Sequence, residues 1–236
     1  MRADVAHADA AEVEGRLRGG AARLRGLRVS SSGLPEPQWN SADVTAPDPD
    51  LDGAREFFGD LPWGVRVPEG IEWSAGRHVA RQPLMTAGAA ALQPAAQVPG
   101  LAVRAAVSDD IDAVLAVDGE AFGSDPEEGR PWAAPHLDAD RIVTALGLLD
   151  GDPVATAYSI RSDGEAGPAL LLAGVAVVGA ARRRGIGAYV SWWLLRRGFD
   201  AGAAFAHLHA DTPAAARVYA RLGFADAGAL DIFSAP

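Results

Sequence analysis

Ala173-Gly174-Val175-Ala176-Val177-Val178-Gly179-Ala180-Ala181-Arg182-Arg183-Arg184-Gly185-Ile186-Gly187-Ala188-Tyr189-Val190 decides how the chain is read. The apolar run from Leu170 to Val178 is short, continuous and bounded by turn formers, so it reads as a strand buried on both faces. Gly179-Ala180-Ala181 has no anchoring side chain, and the chain can leave the sheet there. From Gly185 an apolar pattern of helical length runs to about Arg197. The order is strand, basic glycine-containing turn, helix.

That order has a chemical consequence. The first turn of a helix carries backbone N–H groups without an intrahelical acceptor, at the positive end of the helix dipole. Gly185 and Gly187 lack a Cβ, which lets an anion approach the backbone. The dipole contributes about 0.3–1 kcal/mol to holding such an anion. Arg182, Arg183 and Arg184 offer charge-assisted hydrogen bonds besides. The turn therefore reads as a cradle for pyrophosphate. A nucleoside-triphosphate loop would need Gly-Lys-Ser/Thr, and the chain has no lysine. A dinucleotide fingerprint would need G-x-G-x-x-G, and only one G-x-G is present.

A second segment, Thr212-Pro213-Ala214-Ala215-Ala216-Arg217-Val218-Tyr219-Ala220-Arg221-Leu222-Gly223-Phe224, reads as a helix. Thr212 is its cap, Pro213 its first residue and Gly223 its stop. Together the two segments resemble the GNAT N-acetyltransferase superfamily. R-x-x-G-x-G after a V-A-V strand matches its acetyl-CoA motif at Arg182, Gly185 and Gly187. N-x-x-A-x-x-x-Y-x-x-x-G-F is met by Ala215, Tyr219, Gly223 and Phe224, with Thr212 in place of asparagine.

The resemblance implies a mixed α/β sheet with the GNAT acyltransferase fold in the C-terminal half, and acetyl-CoA as cosubstrate. It implies that Val175, Ala176 and Val177 present backbone groups to pantetheine, the Val175 amide polarising the thioester carbonyl. Arg182, Arg183, Arg184, Gly185, Ile186, Gly187 and Ala188 would hold the pyrophosphate. Thr212 and Ala215 would line the pantetheine arm, and Tyr219 would protonate the departing thiolate. A phenol with a pKa of about 10 is protonated at neutral pH and can donate. The acceptor amine must lose a proton before it attacks. Glu120, His207, His209 or a water chain are the candidates for taking it. The rival reading is a non-catalytic acyl-CoA-binding or regulatory module that keeps the fold.

Composition sets outer bounds. The chain has 236 residues, no cysteine and a formal net charge of -10, with all 21 basic residues arginine. Disulfides, a thiol nucleophile and Cys-ligated zinc are excluded. The five histidines lack a metal-ligand spacing, so no metal is expected. Net acidity argues against nucleic acid as a partner and suits cationic substrates. No run is long and apolar enough for a membrane span, and the N-terminus has no signal-peptide core. A cytoplasmic monomer or homodimer acting on a small-molecule or peptide amine is the expectation.

Around the two motifs the chain divides into an α/β region over 1–85, a linker over 86–100 rich in alanine and proline, and the acetyltransferase domain over 101–236. Residues 1–29 read as a helix or helix pair broken near Gly19-Gly20. A short strand is expected in 38–45, a helix from Leu51 to about Gly59, and strands over 63–67 and 76–85. In the second half a strand over 101–106 precedes a helix over 111–122. The stretch 123–135 reads as a polar loop carrying Asp125, Glu127, Glu128, Arg130 and Trp132, either an amine-binding loop or a solvated connection. A helix over 136–143, a hairpin turning at Asp150-Gly151, a strand over 204–210 and two closing segments near 224–227 and 230–233 follow. Thr45, Ala54-Arg55-Glu56-Phe57 and Leu61-Pro62-Trp63 loosely echo the second motif. The first half is read either as a degenerate GNAT-like repeat in which phenylalanine replaces tyrosine and the glycine-arginine loop is absent, or as a chance similarity.

Overall fold

The computed structural model describes residues 2–236. In chain order the elements are α1 (Ala3–Leu17), β1 (Gly20–Leu24), β2 (Leu27–Ser31), β3 (Asn40–Val44), α2 (Leu51–Phe58), β4 (Gly64–Pro68) and β5 (His78–Gly88). Then come β6 (Leu101–Ala105), α3 (Ile111–Phe122), α4 (Pro126–Leu137), β7 (Ile142–Leu149), β8 (Asp152–Gly164), β9 (Gly167–Val177), α5 (Ile186–Asp200), β10 (Phe205–His209), α6 (Pro213–Arg221) and β11 (Ala225–Ser234). All eleven strands form one mixed sheet, ordered β1-β2-β3-β4-β11-β5-β10-β9-β8-β7-β6.

The two halves exchange their last strands. β5 belongs to the first half by sequence, yet it pairs with β10 of the second. β11 closes the second half, yet it pairs with β4 of the first. β5 and β11 pair with each other at the middle of the sheet. The rest repeats outward in the same sense. β2 is antiparallel to β3, and α2 carries the chain from β3 to parallel β4. Likewise β8 is antiparallel to β9, and α5 carries the chain from β9 to parallel β10. By connectivity α2 therefore matches α5, whereas the residue echo set it against α6.

Strand periodicity sorts the core onto two faces. Leu170, Leu172, Ala206 and Leu208 pack against Ile186, Val190, Leu194 and Leu195 of α5 and against the α6 side. Leu171 and Ile160 point to the other face, under Ala10 of α1. α3 packs on that face through Val114, against Leu146 of β7. α1 is buried nearly all round because its alanines let it lie close on the sheet. A Cβ at Gly15 would collide with the Gly20 carbonyl, so only glycine fits that crossing.

Several expectations need correcting. Gly20 to Ser31 is a hairpin turning at Gly26, whose φ is 68°, and not the second helix of a pair. Thr86 to Gly88 complete β5, so the stretch read as linker begins inside a strand. The polar loop over 123–135 is helix α4. Asp125 caps it by accepting from the Glu127 amide, and Pro126 takes its first position, where the missing N–H costs nothing. Arg130 reaches Asp112 of α3 and Glu127, which fastens the helix despite Pro131 and Pro135 inside it. Ile142 and Val143, expected in a helix, begin β7. The two closing segments are one strand, β11, with its pairing to β5 shifted between Asp226 and Ala229, where Gly228 has a φ of 91°.

Candidate active site

β9 and β10 pair at only three positions, ending at His207 with Leu171. Beyond that point the strands part, and residues 172–177 of β9 have no strand neighbour on the β10 side. β9 also holds one extra residue against β8, between the pairs Thr156–Ala176 and Tyr158–Ala173. The bulge falls at Gly174 and Val175, and Gly174 has a φ of 60°. A Cβ on Gly174 would lie 2.6 Å from the Tyr158 ring, so both the backbone angle and the packing demand glycine. The bulge turns the Val175 backbone relative to the rest of the strand, beside the opening between β9 and β10.

At the end of β9 a single 3-10 turn over Gly179–Ala181 leads into the basic turn and α5. Arg183 and Gly185 both adopt left-handed backbone, at φ 61° and 84°. The first helical hydrogen bond runs from the Tyr189 amide to the Gly185 carbonyl. Among the described residues the amides of 183–188 have no acceptor, and no side chain caps α5. Six donors thus converge on one short turn. The three arginines differ in what they do. Arg182 is committed to carbonyls, donating from Nε to Val177 and from Nη2 to Ala121 at 2.9 and 3.0 Å, so it braces the turn against α3. Arg183 and Arg184 are exposed and make no hydrogen bond among the described residues. Glu120 accepts from the Gly179 amide at 2.9 Å, which fixes where the chain leaves the sheet.

Thr212 caps α6, its hydroxyl accepting from the Ala215 amide at 3.1 Å. Tyr219 packs edge-on against Phe224, with ring centroids 6.0 Å apart. Burial, with the negative charge of Asp211, pushes its phenol up to about 12. The group is therefore a neutral donor throughout the ordinary pH range. Asp211 also lies 3.4 Å from His209 Nε2, and the imidazole holds this carboxylate below its usual range. Asp211 is thus close to both His209 and Tyr219.

On the α1 face, beside the parted strands, is a cavity of about 290 Å³. His209 of β10, Leu171 and Ala173 of β9, and Tyr158 of β8 form its floor. His7, Ala11 and Glu14, spaced so as to share one side of α1, form its roof. Trp39, Asn40, Arg66 and Trp132 close the sides. Trp39 stacks on Trp132 at 4.6 Å, and Arg66 is held by a bidentate pair with Asp43 at 2.6 and 2.7 Å. The cavity therefore draws on both halves of the sequence. Of its lining only Trp132 and His209 were singled out from sequence. His7, Glu14, Trp39 and Tyr158 lie far apart in the chain and carry no local motif.

The candidate bases separate clearly. Glu120 is used in holding the turn. His207 is fully buried, and desolvation pushes its pKa down to about 3. His209 is half-buried, lines the cavity and keeps Nδ1 free of any partner among the described residues. No group of three or more metal-ligating side chains occurs among the described residues. No helix among them is long and apolar enough to cross a membrane.

Residues 111–224, which span the bulged strand, the basic turn and α6, match the acetyltransferase (GNAT) family. Residues 111–224 are a GNAT-family domain. No curated protein matches the chain. Among solved structures, a GCN5-related N-acetyltransferase from Kribbella flavida is 22% identical with a TM-score of 0.74, covering 100% of this chain and 96% of that one. A "Putative Acetyltransferase from the GNAT family" of Novosphingobium aromaticivorans is 19% identical with a TM-score of 0.64, over 95% and 94% of the two chains. A tandem GNAT protein from the clavulanic acid biosynthesis pathway is 15% identical with a TM-score of 0.61, over 90% and 78%. At these identities the structures speak for the GNAT fold across both halves. The fold class read from sequence is thereby established, and acyl transfer is the family's chemistry.

Proposed function

We propose that the chain is an acetyl-CoA-dependent N-acetyltransferase acting on a primary amine. The observation that carries the reading is the set of six unpartnered amides over 183–188, directly beside the cleft where β9 and β10 part. Backbone donors at a helix start suit a pyrophosphate. Arg183 and Arg184 add charge, while Arg182 supports the turn from behind. Val175, Ala176 and Val177 line the open edge of β9, where an extended pantetheine arm can take the strand position that β10 vacates. Thr212 and Ala215 stand at the start of α6 on the far side of that cleft.

The acceptor enters from the α1 face, through the cavity. His209, with Asp211 behind it, takes the proton from the amine. The nitrogen lone pair attacks the thioester carbonyl, whose oxygen is met by the Val175 amide. The carbon–sulfur bond breaks, and Tyr219 gives its proton to the leaving thiolate. No covalent enzyme intermediate is needed, and the chain has no cysteine to form one. The first half supplies one wall of the acceptor cavity and strand β5, and no second cofactor site: Asp50 caps α2 with its own carboxylate where the matching helix α5 leaves its amides open.

The test is thiol release from acetyl-CoA in the presence of an amine panel, with coenzyme A binding followed by calorimetry. Tyr219→Phe is expected to keep binding and lose turnover. Equal turnover in the variant would favour the binding-module reading. Absence of coenzyme A binding would remove the transferase reading altogether.

A further inference from the structure

The acceptor cavity has two poles of unlike chemistry. One is the histidine pole beside the parted strands. His7 lies edge-on to His207 and His209, each pair of ring centroids 5.9 Å apart. His7 is buried, and desolvation together with the Arg66 charge pushes its pKa well down, so its ring stays neutral. The Arg66 guanidinium beside the neutral His7 ring repels an ammonium. An amine arriving here is favoured in its unprotonated, nucleophilic form.

The other pole lies two helical turns along α1, about 10 Å from His7 measured on the helix axis. Glu14 stands there, with Oε1 buried and without a hydrogen bond among the described residues. His136 Nε2 is 3.3 Å from that oxygen, in a geometry that makes no hydrogen bond. Trp39, Trp132 and Tyr158 wall the same end. The other charged groups near it are Arg66, which lines the same cavity and is paired with Asp43, Arg18, and Asp118; burial, with Glu14 and Asp118, holds the Tyr158 phenol well above its ordinary range. Arg18 donates to the carbonyls of Pro131 and Trp132, and its guanidinium lies over the Trp132 ring at 4.5 Å. It does not line the cavity. With an imidazole at ion-pair distance but no donor aimed at it, this buried carboxylate oxygen leaves its hydrogen bond unmade, and a cation among aromatic rings supplies one.

Taking the transferase reading as given, we infer that the acceptor is a small dication. Its second cationic group sits at Glu14 among the aromatic rings while its reacting amine lies neutral at His209. The cavity volume of about 290 Å³ suits a compact molecule and not a folded polypeptide. The separation of the poles suits an α,ω-diaminoalkane of roughly four to six carbons. The net charge of -10 draws such cations toward the protein.

The test compares 1,5-diaminopentane with pentylamine, by thiol release from acetyl-CoA and by calorimetry of each amine alone. The diamine is expected to show kcat/KM about tenfold higher or more, the size of a hydrogen bond to a buried charge. Glu14→Gln is expected to abolish that preference and the diamine binding. Glu14→Asp, which keeps the charge, is expected to retain part of both, and thermal melting checks that the variants fold. Equal use of pentylamine and the diamine by the wild type overturns the inference and leaves the transferase standing. So does a Glu14→Gln variant that keeps the preference. Diamine binding that depends on Glu14, with no thiol release from any amine, sinks the transferase reading and keeps the dication site.

Discussion

Two histidines with similar sequence credentials have come to differ through their surroundings alone. His207 and His209 are two residues apart on one side of β10. Between them the strands part, so His207 is sealed and His209 reaches the cavity. Alternation in 204–210 placed both on one face correctly, but no periodicity tells where a neighbouring strand ends. The pKa of His207 is depressed in the fold, so on acidification the unfolded chain binds the proton first. Its contribution to stability is complete above the ordinary value of 6.5 and is lost as pH falls from there toward 3. Denaturant midpoints measured at successive pH values should drop through that window, and His207→Leu should flatten the drop. For Tyr219 the shift is upward, so the phenol stays protonated where an ordinary tyrosine begins to ionise. Tyr219→Phe is expected to lower kcat by roughly 10²- to 10⁴-fold. In the wild type, kcat should show no alkaline fall from this group up to about pH 10, which a pH–rate profile reads directly.

At the scale of elements, what the sequence disclosed depended on whether local chemistry or packing decided the outcome. The strand–turn–helix over β9 and α5 was legible because its glycines, arginines and apolar run are contiguous. α3 was legible from its apolar spacing. α4 was not: Gly129, Pro131 and Pro135 all argue against a helix, and the ties from Arg130 to Asp112 and Glu127 overcome them. The hairpin over β1 and β2 was missed although Leu27-Arg28-Val29-Ser30 alternates, because the run is short and its polar face is buried too, with Arg28 on Glu12 and Asp9. The caps show how two matching helices came to differ. Asp50 accepts from the Gly53 amide at 3.0 Å at the start of α2, whereas Gly185 leaves α5 open. Asp50→Ala is expected to cost about 1 kcal/mol of stability in denaturant titrations. Coenzyme A affinity by calorimetry should stay as it was, because α2 lies in the half without the basic turn.

For the whole molecule, the exchange of β5 and β11 makes the two halves one folding problem. Asp9 of α1 accepts from the Glu165 and Ala166 amides in the second half and binds Arg28 of the first, while Glu12 also takes Arg28 Nε at 2.6 Å. Removing one partner from such a buried cluster leaves a charge uncompensated, at a cost of about 3–5 kcal/mol. Asp9→Ala should accordingly lower the single melting transition of both halves together. The strand exchange sets a stricter condition. A chain cut between Ala96 and Gln97 would separate β5 from the half whose sheet it completes. Residues 97–236 alone keep every residue of both motifs, yet β10 and β11 would face each other across an empty strand position. The buried Leu84, Met85 and Ala87 would be missing from the core. That fragment is expected to aggregate on its own and to bind coenzyme A only when refolded with residues 1–96. A monodisperse fragment 97–236 that binds coenzyme A unaided would mean that the second half closes its own sheet, and that β5 is an addition to the fold and not part of it.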